Sequence, residues 1–374
     1  MKKAFISVIL SAVIFTGILS GCATKSSNTE ANTQATQSAQ KAEETPIPTT
    51  EATLAPVVPE TVTITDSDGN EVTVKTNPTR IAIYDYSILD ILYNVGFENT
   101  RIEKLIVPAK ENLPDELAFY KNAGDELVIS GGSLFYIDWD VLDLIQPDLV
   151  IIGGRAFGMG PSGERLSSED AAKYREDTFA RYPNTTFVKL TTNATNSQLT
   201  KDIENNINAL AQIFPELKDE LEAKLTKLRT DITEINKKAK ASGKKALFAM
   251  MVDQTTLSVF NPNSRFDMIY EEFGFIPADE GAVSWTNQHG FDVRAEYVLE
   301  KNPDVIFLLD RSATVGSGAG AENFMNDPII KQTTAAQNGD IYVLSGNAWY
   351  TMTGGISATE TMIADLNQYI IKLN

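Results

Sequence analysis

Three arginines, one histidine and one tyrosine hold the chemistry that the sequence offers. Arg155 and Arg311 close two copies of one pattern: residues 138–155 read DWDVLDLIQPDLVIIGGR and residues 294–311 read RAEYVLEKNPDVIFLLDR, at a constant offset of 156 residues. Each copy predicts a helix turn carrying an acid (Asp140, Glu296) and a Pro-Asp break (Pro147-Asp148, Pro303-Asp304), then a buried apolar strand (149–152, 305–309) and the arginine. Ligands of open α/β sheets bind beyond the carboxyl ends of strands, so both arginines fall where a cleft between two lobes would lie. Arg265, in Asn263-Ser264-Arg265-Phe266 after the Asn261-Pro262 turn, is a third. A single arginine reads equally as a surface or salt-bridge residue. Three converging in an acidic protein would bind a polyanion, because guanidinium keeps its charge and offers planar forks to oxygen.

His289 is the only histidine, in Gln288-His289-Gly290-Phe291, and reads either as a solvated loop residue or as a metal ligand. Tyr350 ends Gly346-Asn347-Ala348-Trp349-Tyr350, ahead of Gly354-Gly355, and reads either as packing beside the tryptophan or as a site residue. One histidine is too few for a zinc or manganese receptor. No Gly-x-Ser-x-Gly elbow is present, and no nucleophile motif accompanies His289, so an enzyme is not expected.

These residues need elements to hold them. Residues 61–65 and 71–75 flank Asp68-Gly69 as a hairpin; 81–84 is a strand followed by a helix over 87–95 with Gly96 as its stop, and 186–190 is a later strand. Further on, 246–252 and 341–344 read as strands, 265–273 as a helix ended by Gly274, and 357–373 as a carboxy-terminal helix. Between these groups Ile203, Ile207, Leu210 and Phe214 form an apolar stripe, and Pro215 interrupts it. Leu217, Leu221, Leu225, Leu228, Ile232 and Ile235 then continue the stripe toward Ser242-Gly243. At about 1.5 Å per residue this second part spans about 38 Å, enough to bridge two domains. The expected fold is α/β: two Rossmann-like lobes (61–200 and 244–374), a helical segment with a long bridging helix (201–243), and a ligand cleft between the lobes.

The amino terminus carries its own chemistry. Lys2 and Lys3 precede an uncharged apolar run that ends in Leu19-Ser20-Gly21-Cys22, which predicts a signal peptide over 1–21 and a lipid-bearing Cys22. Cys22 is the only cysteine, so it has no disulfide partner. Residues 22–60, rich in Ser, Thr, Gln and Pro, read as a disordered tether. The protein is expected on the extracytoplasmic face of a cell membrane. A net charge of −18 argues against nucleic acid or anionic lipid as partner.

Taken together, the lipobox, the Pro-Asp-strand-Arg repeat, the bridging helix, the Ser-Arg-Phe turn, the His-Gly pair and Asn-Ala-Trp-Tyr before Gly-Gly resemble the iron(III)-siderophore binding proteins of ABC importers. The likeness covers residues 61–374 and is greatest to the subgroup that takes catecholate ligands, petrobactin-type and linear bis-catecholate siderophores included. The resemblance implies that Arg155, Arg265 and Arg311 neutralise the anionic iron complex. It implies also that His289 and Tyr350 complete the iron shell when the siderophore supplies only four donors, a suitable pair because ferric iron favours phenolate oxygen and imidazole can accompany it. Asp140 and Glu296 would dock on arginines of an ABC permease, although Asp140 stands where glutamate is more usual. Tyr84, Tyr86, Phe135 and Tyr136 would line the pocket or pack the core. The implied protein is a monomer without an intrinsic cofactor, its ligand an Fe(III)-siderophore. Haem or cobalamin are alternative ligands of the same fold, and a non-transport surface adhesin is the alternative of a different class.

Overall fold

The computed structural model describes residues 58–192, 198–279 and 290–373. Val62, Ile64, Val72 and Val74 alternate with polar residues, so β1 (Thr61–Thr65) and β2 (Glu71–Lys75) pair antiparallel around Gly69, which takes φ 84°.

Two parallel-rich sheets follow. The first contains β3 (Arg80–Tyr84), β4 (Lys104–Val107), β5 (Val128–Ser130), β6 (Leu149–Ile152) and β7 (Thr186–Lys189) in the order β5-β4-β3-β6-β7, all parallel. The second contains β8 (Lys245–Met251), β9 (Leu257–Phe260), β10 (Ile276–Pro277), β11 (Phe291–Val293), β12 (Val305–Asp310) and β13 (Ile341–Val343). Its order is β11-β9-β8-β12-β13, with β10 beside β8; β8, β12 and β13 run parallel, and β9 and β11 run antiparallel to their neighbours. Strands such as Leu149–Ile152 and Val305–Asp310 are buried along their length because helices cover both faces, which is why they read as unbroken apolar runs. The chain is thus an α/β protein of two Rossmann-like lobes.

The sequence repeat is a structural one. Helix Trp139–Ile145 ends on Gln146 at φ 49° and helix Ala295–Lys301 ends on Asn302 at φ 41°, each cap N–H bonding a carbonyl four residues back. The aspartate of each Pro-Asp then clamps the start of the central strand. Asp148 Oδ2 accepts from the main-chain N of Thr79 and Arg80, both at 3.3 Å, and Asp304 Oδ2 accepts from Lys245 N at 2.9 Å. In return Asp148 N donates to Arg80 O and Asp304 N to Lys245 O, each at 2.8 Å.

A helix over Leu199–Ile213 and a tight turn at Pro215–Leu217 lead into the bridging helix Lys218–Ser242, 25 residues ended by Gly243 at φ 62°. Leu221, Leu225, Leu228, Ile232 and Ile235 bury its apolar stripe. The carboxy-terminal helix Ile356–Ile370 lies along it, with Lys227 and Glu360 3.0 Å apart. Its first turn also reaches the first lobe: Ser357 Oγ donates to Asp90 Oδ1 and Ala358 N donates to Asp90 Oδ2 at 3.2 Å. Asp90 lies within helix Tyr86–Tyr93 and is fully buried. The preceding glycines make this approach possible, since a Cβ on Gly354 would stand 1.8 Å from Thr192 Oγ1 and one on Gly355 2.3 Å from Asp90 Oδ2.

One element departs from expectation by more than a few residues in length. The helix expected over 265–273 is confined to Met268–Glu271. Asn263 turns the chain at φ 65°, Ser264 Oγ bonds Asn261 O at 2.5 Å, and Asp267 N closes a turn on Ser264 O, so the segment before Met268 is spent on turns. Among the described residues no helix is long and apolar enough to cross a membrane.

Candidate functional site

In each lobe the strand order reverses beside the central strand, and the residues just beyond the carboxyl ends of the two strands there build the site. In the first lobe Asp85 follows β3 and Gly153-Gly154-Arg155 follows β6. Asp85 caps the next helix, accepting from Ser87 N at 2.8 Å, and lies so close that a Cβ on Gly153 would stand 2.2 Å from its Oδ2. Burial pushes the Asp85 carboxyl up, opposed by Ser87 and by the charge of Arg155. In the second lobe Arg311 follows β12, and its Nη1 donates to the carbonyl of Val252, beyond β8, at 3.0 Å. Arg265 is held from beneath, because the ring of Phe266 is buried and stacked 4.3 Å from Phe248.

All three arginines converge on Tyr350. Arg155 Nη2 donates to its main-chain carbonyl at 2.5 Å, Arg265 Nη2 to the same oxygen at 2.7 Å, and Arg311 Nε to its hydroxyl at 2.8 Å. The guanidinium carbons lie 5.5, 4.4 and 5.5 Å from the ring centroid, within cation–π range. Tyr350 keeps its place because Trp349 beside it is fully buried and donates its indole N–H to Asp365 at 2.8 Å.

None of the three is ion-paired with a carboxylate among the described residues, where the arginine ion pairs belong to Arg80, Arg181 and Arg229. Burial, then the charge of Arg155, depress Arg265 to about 10. For Tyr350 burial pushes the phenol up, but the hydrogen bond from Arg311 and the charges of Arg265, Arg311 and Arg155 outweigh it and hold the phenol below its ordinary range. The arrangement offers oxygen anions a cluster of cations without an ion-pair partner among the described residues, and it offers a hard metal ion a phenol oxygen.

The aromatic candidates divide. Tyr86 is buried in the first turn of its helix, within the influence of Arg155, whose charge opposes the upward push of burial on its phenol. Tyr84 is a correction: it lies in the core at 1 % exposure, its hydroxyl spent on Gly131 O at 2.6 Å, because the last residue of β3 still points into the packed face of the sheet. Tyr136 is half-buried and stacks on Tyr174 at 6.2 Å, with no described contact to the arginines. Phe135 is exposed, and its main-chain carbonyl accepts from Met159 N in the loop after Arg155. Asp140 and Glu296 are exposed in the first turns of the two repeat helices. His289 and Cys22 lie outside the described residues. Sequence reading passed over Asp85 and Asp310, each an aspartate at the end of an apolar strand with a serine two residues on; that spacing is the signal of a capping carboxylate.

Two Rossmann-like lobes, a helix between them and a cationic group assembled from both define a cleft-type solute-binding protein. The chain belongs to the periplasmic binding protein family, whose model matches residues 81–348. It is 26 % identical over 307 residues to the petrobactin-binding protein YclQ of Bacillus subtilis, covering 82 % of this chain and 86 % of that one. It is 21 % identical over 308 residues to the ferric-anguibactin-binding protein FatB of Vibrio anguillarum, covering 82 % and 87 %. The crystal structure of the periplasmic catecholate-siderophore binding protein VctP from Vibrio cholerae matches at 27 % identity with a TM-score of 0.67, over 83 % of this chain and all of that one.

Proposed function

We propose that this chain is an extracytoplasmic lipoprotein receptor that captures a ferric catecholate siderophore and passes it to an ABC permease. The observation that carries the reading is the group of three arginines around Tyr350, none of them ion-paired with a carboxylate among the described residues. A ferric catecholate complex is anionic and rich in oxygen acceptors, and so supplies what the cleft lacks. The names of the similar proteins, petrobactin-binding, ferric-anguibactin-binding and catecholate-siderophore binding, support the same choice.

In this reading Arg155 and Arg265 exchange the carbonyl of Tyr350 for oxygens of the incoming complex, and Arg311 stays on the phenol. Tyr350 and His289 fill the iron positions that a four-donor siderophore leaves open. Tyr86 forms the wall beside Arg155. The iron complex is cargo, and the protein performs no covalent chemistry on it. Cys22 carries the lipid, and Asp140 and Glu296 meet the permease.

Titration with ferric bis-catecholate, haem and a ferric hydroxamate, followed by quenching of intrinsic Trp and Tyr fluorescence, tests the reading. Tight binding of the bis-catecholate with a new charge-transfer absorbance is expected. Failure to bind it at micromolar concentration, or preference for haem, would sink the proposal. For anchoring, Cys22→Ser should release the protein from the membrane fraction. For docking, Asp140→Lys with Glu296→Lys should abolish uptake while leaving binding intact.

A further inference from the structure

The two arginines that close the repeat are held in different ways. Arg155 follows Gly154, whose N–H bonds Thr191 Oγ1 at 3.1 Å, and its guanidinium reaches across to Tyr350 O of the other lobe. At the repeat position of Gly154 the second lobe has Asp310. Asp310 is the last residue of β12 and is 6 % exposed.

Its carboxylate gathers four donors: Oδ1 accepts from Ser312 Oγ at 2.6 Å and Ala313 N at 3.0 Å, while Oδ2 accepts from Gly320 N and Ala321 N, both at 2.8 Å. Thr314 Oγ1 adds a bond to Asp310 O at 2.7 Å. One carboxylate therefore pins both ends of the segment 311–321. The return is tight, since a Cβ on Gly320 would stand 2.8 Å from Asp253 O and from Met251 Cβ. Arg311 is the first residue of the pinned segment, and its side chain then bonds Val252 O and the Tyr350 hydroxyl.

We propose that Asp310 is a positioning residue of the cleft: it fixes the backbone of Arg311 so that Nε–H is aimed at the Tyr350 hydroxyl before any ligand arrives. Asp310 touches neither the ligand nor the iron. A segment tied to the strand end by four hydrogen bonds has little freedom to carry Arg311 away, so the orientation costs nothing at the moment of binding. The proposal rests on the reading of Arg311 and Tyr350 as ligand-binding residues.

The test is a double-mutant cycle with a ligand-free arm. Asp310→Asn should weaken ferric bis-catecholate binding about tenfold, and less than about twofold once Arg311→Gln is present, because the two changes remove one effect. An equal loss in both backgrounds means that Asp310 merely holds the fold, and overturns the proposal. Without ligand, the Arg311 Nε–H resonance, identified by its loss in Arg311→Lys, should be sharp and slow to exchange in the native chain and averaged in Asp310→Asn. An unchanged resonance overturns the proposal. This arm decides even if the native protein binds no ferric bis-catecholate, an outcome that would remove the functional reading alone. Should Asp310→Asn fail to fold, Ser312→Ala deletes one donor and spares the carboxylate. A loss of affinity that vanishes with Arg311→Gln supports the proposal; a loss that persists, or no change in either readout, overturns it.

Discussion

Arg155 of the first lobe and Tyr350 of the second, 195 residues apart in the chain, are joined by a hydrogen bond of 2.5 Å from guanidinium to main-chain carbonyl. Arg265 shares the same oxygen. The carbonyl is a neutral acceptor where an anionic one would bind more strongly, roughly twofold in energy. In the proposed function, exchange of that oxygen for a catecholate oxygen would be the difference that favours the ligand over the internal contact.

Removing the fork tests that difference. Arg265→Gln is expected to weaken ferric bis-catecholate binding by about 10- to 100-fold, the range for losing a hydrogen bond to a charged group. Arg265→Lys keeps the charge and should lose less. Fluorescence titration measures both; a change within about twofold for Arg265→Gln would contradict the model of binding.

Tyr350 should report on its neighbours through its own ionisation. Its phenol is held below the unfolded value of about 10, so its stabilising contribution is full above that value and is lost as pH falls through the folded value. Absorbance titration should find one tyrosine that ionises early, absent in Tyr350→Phe and moved upward in Arg311→Gln. Affinity for a four-donor ferric complex should rise with pH through the same range and lose that dependence in Tyr350→Phe.

Between the lobes, Gly354→Ala places a methyl 1.8 Å from Thr192 Oγ1 and at φ 94°. Urea denaturation should show a loss of about 1–3 kcal/mol, typical of overpacking. Thr192→Ala should recover part of it. No recovery would mean that the strain lies wholly in the backbone.

Asp90→Ala strands Ser357 Oγ and Ala358 N and should cost about 1–3 kcal/mol. Burial raises the Asp90 carboxyl, so in the native chain stability falls as pH rises from the ordinary aspartate value, about 3.9, to the folded one. Denaturation curves of the native chain and of Asp90→Asn should differ by that slope. Parallel curves would show that Asp90 is uncharged throughout or compensated in full.

Much of the frame was legible because local rules govern it. Asp68-Gly69 marked the hairpin, Gly243 the end of the bridging helix, and the Pro-Asp pairs the starts of β6 and β12. The start of β13 at Ile341 matched too, and the strand ends at Val343, one residue short of the expected 344. The repeat put Arg155 and Arg311 at strand ends, but their meeting on one tyrosine depends on how two sheets are set, which no local pattern encodes. The helix expected from Arg265 begins only at Met268, because Asn263 at φ 65° is a choice that tertiary contacts make. Asp90 carried an unused signal, a lone carboxylate in the apolar run Ile88-Leu89-Asp90-Ile91-Leu92. A buried carboxylate there requires partners; Asn94 supplies one from the next turn at 2.9 Å, and Ser357 another from 267 residues away.

That distance bears on how the chain acquires its shape. Without Ser357 and Ala358, Asp90 Oδ1 keeps only the local donor Asn94 Nδ2 and Oδ2 loses the main-chain N–H of Ala358, so helix Tyr86–Tyr93 would hold an acid that is only partly satisfied. The first lobe thus takes two of its hydrogen bonds from helix Ile356–Ile370. Removal of helix Ile356–Ile370 would therefore strip two hydrogen bonds from the lobe that precedes it.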